Sequence, residues 1–204
     1  MFNLLVRGLI IGFSIAAPVG PIGVLCIRRT LAKGRLYGLV SGLGAASADA
    51  FFGTIAAFGL TAISTVLVDN RALLGLFGGL FLLYLGIKTW FTPPSEEAAS
   101  ASARGLITAY TSTLFLALTN PITILAFIAI FTTLSTTVDT NITIMTSSLI
   151  VLGVFVGSAA WWIFLSTGVS FFRDRFDTRM MGVVNKFSSV IITLFGAYAL
   201  LSLL

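Results

Sequence analysis

The chain has 204 residues, 57% hydrophobic and only 9% charged. Soluble domains carry about a quarter charged residues, so no water-soluble fold hides this apolar surface and the protein is integral to a membrane. The net charge of +5 is no nucleic-acid signal, because the basic residues sit in short segments between apolar runs rather than on one face. The single cysteine, Cys26, excludes an internal disulfide and a CxxC redox pair, and the lack of histidine excludes haem ligation and a histidine proton relay.

Charged and polar punctuation predicts six apolar spans: 5–27, 37–67, 72–91, 106–134, 146–170 and 187–204. Each is long enough to cross ~30 Å of hydrocarbon as a helix, and the second and fourth exceed the usual ~20 residues, so they are expected to tilt or break. The first span carries Ala17-Pro18-Val19-Gly20-Pro21 midway between Arg7 and Arg28. At ~1.5 Å of rise per residue this places a break near the bilayer midplane. Pro18 and Pro21 lack backbone N–H groups and disfavour helical geometry in the residue before them, and Gly20 permits a turn. Lipid cannot satisfy the freed amides and carbonyls, so the break is expected in protein or against a wet cavity. Ser14 to Ala17 has some character of a signal-peptide cleavage site, but the run continues to Ile27, so it reads as a retained span.

The first loop reads as basic, with Arg28, Arg29, Lys33 and Arg35, an orientation anchor on anionic lipid, with a gate at the inner mouth as the other reading because Gly34 there permits a tight turn. Span two then holds Asp49, the only acid well inside an apolar span. Ionised acids at that depth usually face a cavity or a partner. Two readings stand: a coupling-ion or substrate-ammonium site, and a structural hydrogen bond to a neighbouring helix. Gly42, Gly44, Ala45, Ala46, Ser47 and Ala48 allow close helix approach around it. Lys88, ending span three, reads as snorkelling to the surface, and Trp90, Trp161 and Trp162 as interface belt or packing.

Residues 93–105, with Glu and Ser between Lys88 and Arg104, read as a cytoplasmic linker between two three-span halves, 1–92 and 106–204. Span four carries the second break, Thr119-Asn120-Pro121. Asn is a strong N-cap and Pro is favoured at the first helical position, so a half-helix is predicted to start inside the bilayer. The Ser- and Thr-rich stretch Thr132 to Ser148 reads as an exposed loop with its flanks. The fifth loop holds Arg173, Arg175, Arg179 and Lys186. Odd loops then total ten basic residues and even loops one, which puts the odd loops in the cytoplasm and both termini outside.

Halves with an odd number of spans share a fold only with opposite topology. Gly79 to Gly86 compares with Ser189 to Gly196, and Phe51-Phe52 with Trp161-Trp162 at the same offset, so an inverted repeat is expected. Paired interrupted helices in two halves point to a transporter's binding site. A half-helix N-terminus offers unpaired amides and partial positive charge to a carboxylate. The candidate binding residues are Pro18, Gly20, Pro21, Ile22 and Gly23 at the first break and Asn120, Pro121, Ile122 and Thr123 at the second. The amides of Ile22, Gly23, Ile122 and Thr123 are the donors, and carbonyls near Ile15 to Ala17 face an ammonium or cation. Asp49 is the coupling-ion candidate. No catalytic set, metal cluster or cofactor motif appears.

Gly20-Pro21, Gly34-Arg35, the spaced Gly38 and Gly42, Asp49, and Leu118-Thr119-Asn120-Pro121 together resemble the LysE-type amino-acid exporter family. The resemblance extends over the chain in length and span count. It implies export of amino acids or close relatives across the bacterial inner membrane, driven by the membrane's ion gradient. Basic-amino-acid exporters of that family carry Gln-Asn after the Gly-Pro and an acid a few residues past the Asn-Pro; here Ile22-Gly23 and Ala126 stand there, which favours a neutral substrate. The expectation is an all-α integral membrane protein of six helices, with helices 1 and 4 broken, in an inverted 3+3 repeat. It is expected to be an alternating-access secondary transporter whose partners are a small-molecule substrate, a proton or cation, and lipid. A small-ion or metal-ion transporter of the same architecture is the alternative, with a membrane-embedded enzyme or assembly subunit behind it.

Overall fold

The computed structural model describes residues 2–18, 20–58, 69–91, 102–120, 123, 127, 143–175, 178–201 and 203. The tail of predicted span two from 59 on, most of the linker, Pro121, Ile122 and most of Thr132 to Ser148 lie outside the described residues. The described helices are α1 (Phe2–Ala16), α2 (Pro21–Lys33), α3 (Arg35–Ala57), α4 (Arg71–Trp90), α5 (Ala103–Thr119), α6 (Ile144–Phe171) and α7 (Thr178–Leu201), with a 3₁₀ turn at Arg173–Arg175. No strand occurs among the described residues. Four helices, α3, α4, α6 and α7, are long and apolar enough to cross a membrane, and α1 with α2 makes a fifth if the bent pair counts as one span. The described part of predicted span four, α5, has 17 residues.

Local chemistry sets the ends. Pro21 stands at the start of α2 behind an extended Gly20, and α1 and α2 meet at 80°. Gly34 ends α2 with φ +98°, where side chains are strained, and its amide donates to the Thr30 carbonyl at 2.9 Å. Ser102 caps α5 by accepting from the Gly105 amide, and Thr143 and Thr146 form a reciprocal cap on α6.

Two loop boundaries are corrected. Arg28, Arg29 and Lys33 lie in the last turns of α2 and Arg35 opens α3, so the basic first loop shrinks to Gly34. Helix α7 starts at Thr178 rather than 187, so Arg179 and Lys186 are helical. Charge marks where side chains leave hydrocarbon, and a helix continues past that level: Lys186 is exposed, 5.8 Å from the Trp90 ring centre, while its neighbour Asn185 is buried.

Helix directions follow from the contacts. The small stripe Gly8, Gly12 and Ala16 of α1 is buried, and α1 runs parallel to α6, with Leu9 on Gly157 and Gly8 on Gly153. A Cβ on Gly12 would collide with the Val154 carbonyl, so the two backbones touch. Helix α3 runs antiparallel to α6: Ser147 Oγ donates to the Ala57 carbonyl at 2.7 Å at one end, and Gly38 meets Ser166 at the other. Helix α5 lies parallel to α3, where Tyr110 Oη bonds Ser47 Oγ at 2.8 Å and Tyr37 packs on Gly105. Helix α4 is antiparallel to α7, with Ser189 Oγ donating to the Gly86 carbonyl at 2.7 Å. Outward faces are apolar, as in Phe77, Leu80, Tyr84 and Ile87 on α4 and Val183, Phe187, Val190, Leu194 and Tyr198 on α7. Hydroxyl and amide side chains such as Thr89, Thr113, Asn185 and Ser188 are buried instead. This inside-out pattern is that of a multi-pass membrane protein.

Candidate functional site

A cavity of about 250 Å³ opens where α1 breaks into α2, and it is walled by both breaks together with α3, α6 and α7. The structure brings Pro18, Gly20, Pro21, Ile22, Gly23, Asp49, Asn120 and Thr123 to this one space. Pro121 and Ile122 lie outside the described residues.

The first break exposes backbone groups for a definite reason. The Gly20 amide turns back to the Pro18 carbonyl at 3.0 Å, and the first amide to find a helical acceptor is that of Val24, on the Gly20 carbonyl at 3.0 Å. The amides of Ile22 and Gly23 precede that ladder, and both residues line the cavity. On the other side, Pro18 has no amide to offer the Ser14 carbonyl, and Ile15 and Ala16 line the wall. Residues from both half-helix ends thus border one space. At the second break, Asn120 leaves the helix in extended geometry (φ −79°, ψ 111°), and its amide donates to the Ala117 carbonyl at 3.4 Å.

Asp49 is 5% exposed and is the one acid among the described lining residues; none of those residues is basic. Ser158 Oγ donates to its Oδ2 at 2.6 Å, and Ser158 in turn accepts from Trp162 Nε1 at 3.2 Å. The carboxyl therefore has a hydroxyl partner on α6 and a face on the cavity. Among the described residues it is held by one hydrogen bond rather than an ion pair, which leaves it able to meet a proton, a cation or an ammonium group.

Of the belt and packing readings, Trp162 takes packing. It is buried, lines the cavity and packs its Cβ and ring against Gly42 of α3, where a larger residue would collide. Trp90 is exposed, and Trp161 is half-buried edge-on to Phe13 at 5.3 Å between ring centres. Ser158 and Phe195 are not among the residues the sequence offers for the site, whereas Ala45, read as a small residue beside Asp49, lines the cavity. The i, i+4 spacing of Ser158 and Trp162 was the available signal, and it needs the α3–α6 pairing before it points at Asp49.

Arg28 and Arg29 depart from the lipid-anchor reading. Arg29 Nη1 lies within bonding distance of Ser41 Oγ (2.8 Å), the Ala109 carbonyl (2.9 Å) and Thr113 Oγ1 (2.7 Å), and Nη2 donates to Ser112 Oγ at 2.8 Å. Arg28 Nε donates to Asn185 Oδ1 on α7 at 3.0 Å. Both side chains turn into the protein because α2 is surrounded by α3, α5, α6 and α7.

The family model described as LysE type translocator matches residues 13–203. The chain is 26% identical over 202 residues to the Bacillus subtilis (strain 168) protein named "Putative amino acid efflux protein YcgF", covering 96% of this chain and 94% of that one. It is 29% identical over 179 residues to the Escherichia coli (strain K12) "Uncharacterized membrane protein YahN", covering 85% of this chain and 77% of that one. No solved structure matches.

Proposed function

The chain belongs to the LysE type translocators, and from that premise we propose that it exports amino acids or related small zwitterions across the bacterial inner membrane by alternating access, coupled to an ion gradient. The observation that carries this reading is the meeting of the two helix breaks and Asp49 at one cavity. The amides of Ile22 and Gly23, at the positive end of α2, take the substrate carboxylate. Asp49 takes the substrate ammonium or, in exchange, the coupling proton or cation. Ile22, Ala45, Trp162 and Phe195 give the side-chain end an apolar surround. A volume of about 250 Å³ holds about eight waters at ~30 Å³ each, which suits a molecule of amino-acid size.

The helix pairing supports a 3+3 inverted arrangement of 1–92 and 106–204. A two-fold axis in the membrane plane would relate span one to four, two to five and three to six, so a contact of one with five recurs as one of four with two, while two meets five and three meets six. The contacts of α1 with α6, α5 with α3, α3 with α6 and α4 with α7 follow that scheme. The arginine-rich end of α2 then faces the cytoplasm, with both termini outside.

The test is efflux from proteoliposomes loaded with a mixture of common amino acids, with and without an imposed pH gradient, read by mass spectrometry. Selective loss of one or a few neutral amino acids is expected. Retention of every amino acid by vesicles holding folded protein refutes the substrate reading and favours small ions.

A further inference from the structure

Helix α2 is a short element between two backbone breaks, and the site uses only its first turn. Its other end is fixed by arginine side chains to neutral acceptors: Arg29 to α3 and α5, Arg28 to α7, and Arg173 Nε to the Leu31 carbonyl at 3.0 Å. Among the described residues none of these three meets a carboxylate within ion-pair distance. The Arg29 contacts lie directly beneath the cavity. Ser41 is one turn from the lining residue Ala45, a rise of ~6 Å, and Thr113 is two turns before Asn120.

The surface that α2 lays on α3 and α6 is made of small and hydroxyl residues. Cys26 is fully buried among Ala16, Ala45, Ala46, Ala159 and Trp162. One turn on, Thr30 and Ser166 both approach Gly38, and the Ser166 hydroxyl is buried with no hydrogen-bond partner among the described residues. No bulky side chain from α2 keys into this seam at Thr30, and the unmatched Ser166 hydroxyl lies one turn past Trp162, between the apolar cluster around Cys26 and the arginine-rich face.

We infer that Arg29 is a positioning residue for transport: with Arg28 and Arg173 it latches α2 shut over one side of the cavity, and its release opens the path along the α2–α3–α6 seam. This rests on the alternating-access reading. The two hinges are the Gly20 break and Gly34. Acceptors without charge suit a latch that must let go in each cycle, whereas an ion pair broken in a membrane interior strands two charges.

Cys26 is the chain's own reporter, because it is the only cysteine and α2 movement uncovers it. The experiment measures labelling of purified protein in oriented vesicles by a membrane-impermeant maleimide, applied to each face in turn. Arg29→Lys keeps the charge but loses the fork that reaches four acceptors. Its labelling rate from the arginine-rich face is expected to rise at least tenfold, with Arg29→Ala higher still and the opposite face unchanged. Ser41→Ala with Thr113→Val removes acceptors while leaving Arg29 in place, and it is expected to act in the same direction even if Arg29→Ala does not fold. In transport, kcat falls about tenfold while KM on the arginine-rich side does not rise. Unchanged labelling in Arg29→Lys and in the double variant overturns the latch, as does an equal rise from both faces, which is general loosening. A raised KM at unchanged kcat also overturns it, since it assigns Arg29 to substrate binding. Labelling needs no substrate: Arg29-dependent labelling in vesicles that export no amino acid leaves the latch standing and sinks the substrate reading.

Discussion

Asp49→Asn separates coupling from folding. The amide is isosteric and its oxygen still accepts from Ser158 Oγ, which now lies 2.6 Å from the carboxylate. The exchange turns a charge-assisted hydrogen bond of about 1.5–3 kcal/mol into a neutral one of about 0.5–1.5, so the fold loses about 1–2 kcal/mol and less if relief of the buried charge offsets it. Transport responds more sharply. One acid among the described residues lines the cavity, so one proton per cycle is the most that Asp49 can carry. With the membrane potential clamped at zero, each pH unit is worth about 1.4 kcal/mol per proton, which sustains a substrate ratio of ~10 for a neutral zwitterion. Proteoliposomes with one unit of pH gradient and a known neutral substrate give the ratio directly. Wild type is expected to reach ~10, and Asp49→Asn to exchange substrate while holding a ratio near 1. A mutant that still holds ~10 refutes Asp49 as the coupling group, and a wild-type ratio far above that refutes a single-proton cycle.

Other variants test the surrounding geometry. Ser158→Ala removes the partner of Asp49 and the acceptor of Trp162 Nε1 together; a loss of about 2–4 kcal/mol is expected in thermal unfolding in detergent, and an unchanged midpoint would show that water replaces both bonds. Gly42→Ala places a Cβ where the Trp162 side chain packs, costing about 1–3 kcal/mol through overpacking and pushing the indole toward the cavity; substrate affinity should fall at least several-fold, and unaltered binding would remove Trp162 from the site.

Much of the cavity was legible because proline and glycine act locally. Pro18, Gly20 and Pro21 dictate a break in any context, and the expectation of amide donors at Ile22 and Gly23 follows from the break alone. An acid in an apolar run, as at Asp49, announces a partner or a cavity because hydrocarbon penalises its charge. The partner itself was not legible. Ser158 lies 109 positions away on an apolar helix, and no local pattern ties the two together.

A helical membrane protein with interrupted segments and an acid, Asp49, inside an apolar span is readable along the chain alone. Those features depend on transfer of side chains and backbone groups into hydrocarbon, a cost paid residue by residue. Helix packing is what lines the cavity with Trp162 rather than leaving it at an interface, and what turns Arg28 and Arg29 inward to α7, α3 and α5 rather than outward to lipid. The direction a tryptophan or arginine takes depends on which neighbours offer space and acceptors, here Gly42 for the indole and Ser41, Ser112, Thr113 and Asn185 for the guanidinium groups. Those neighbours come from other helices, and helix pairing is a property of the packed fold.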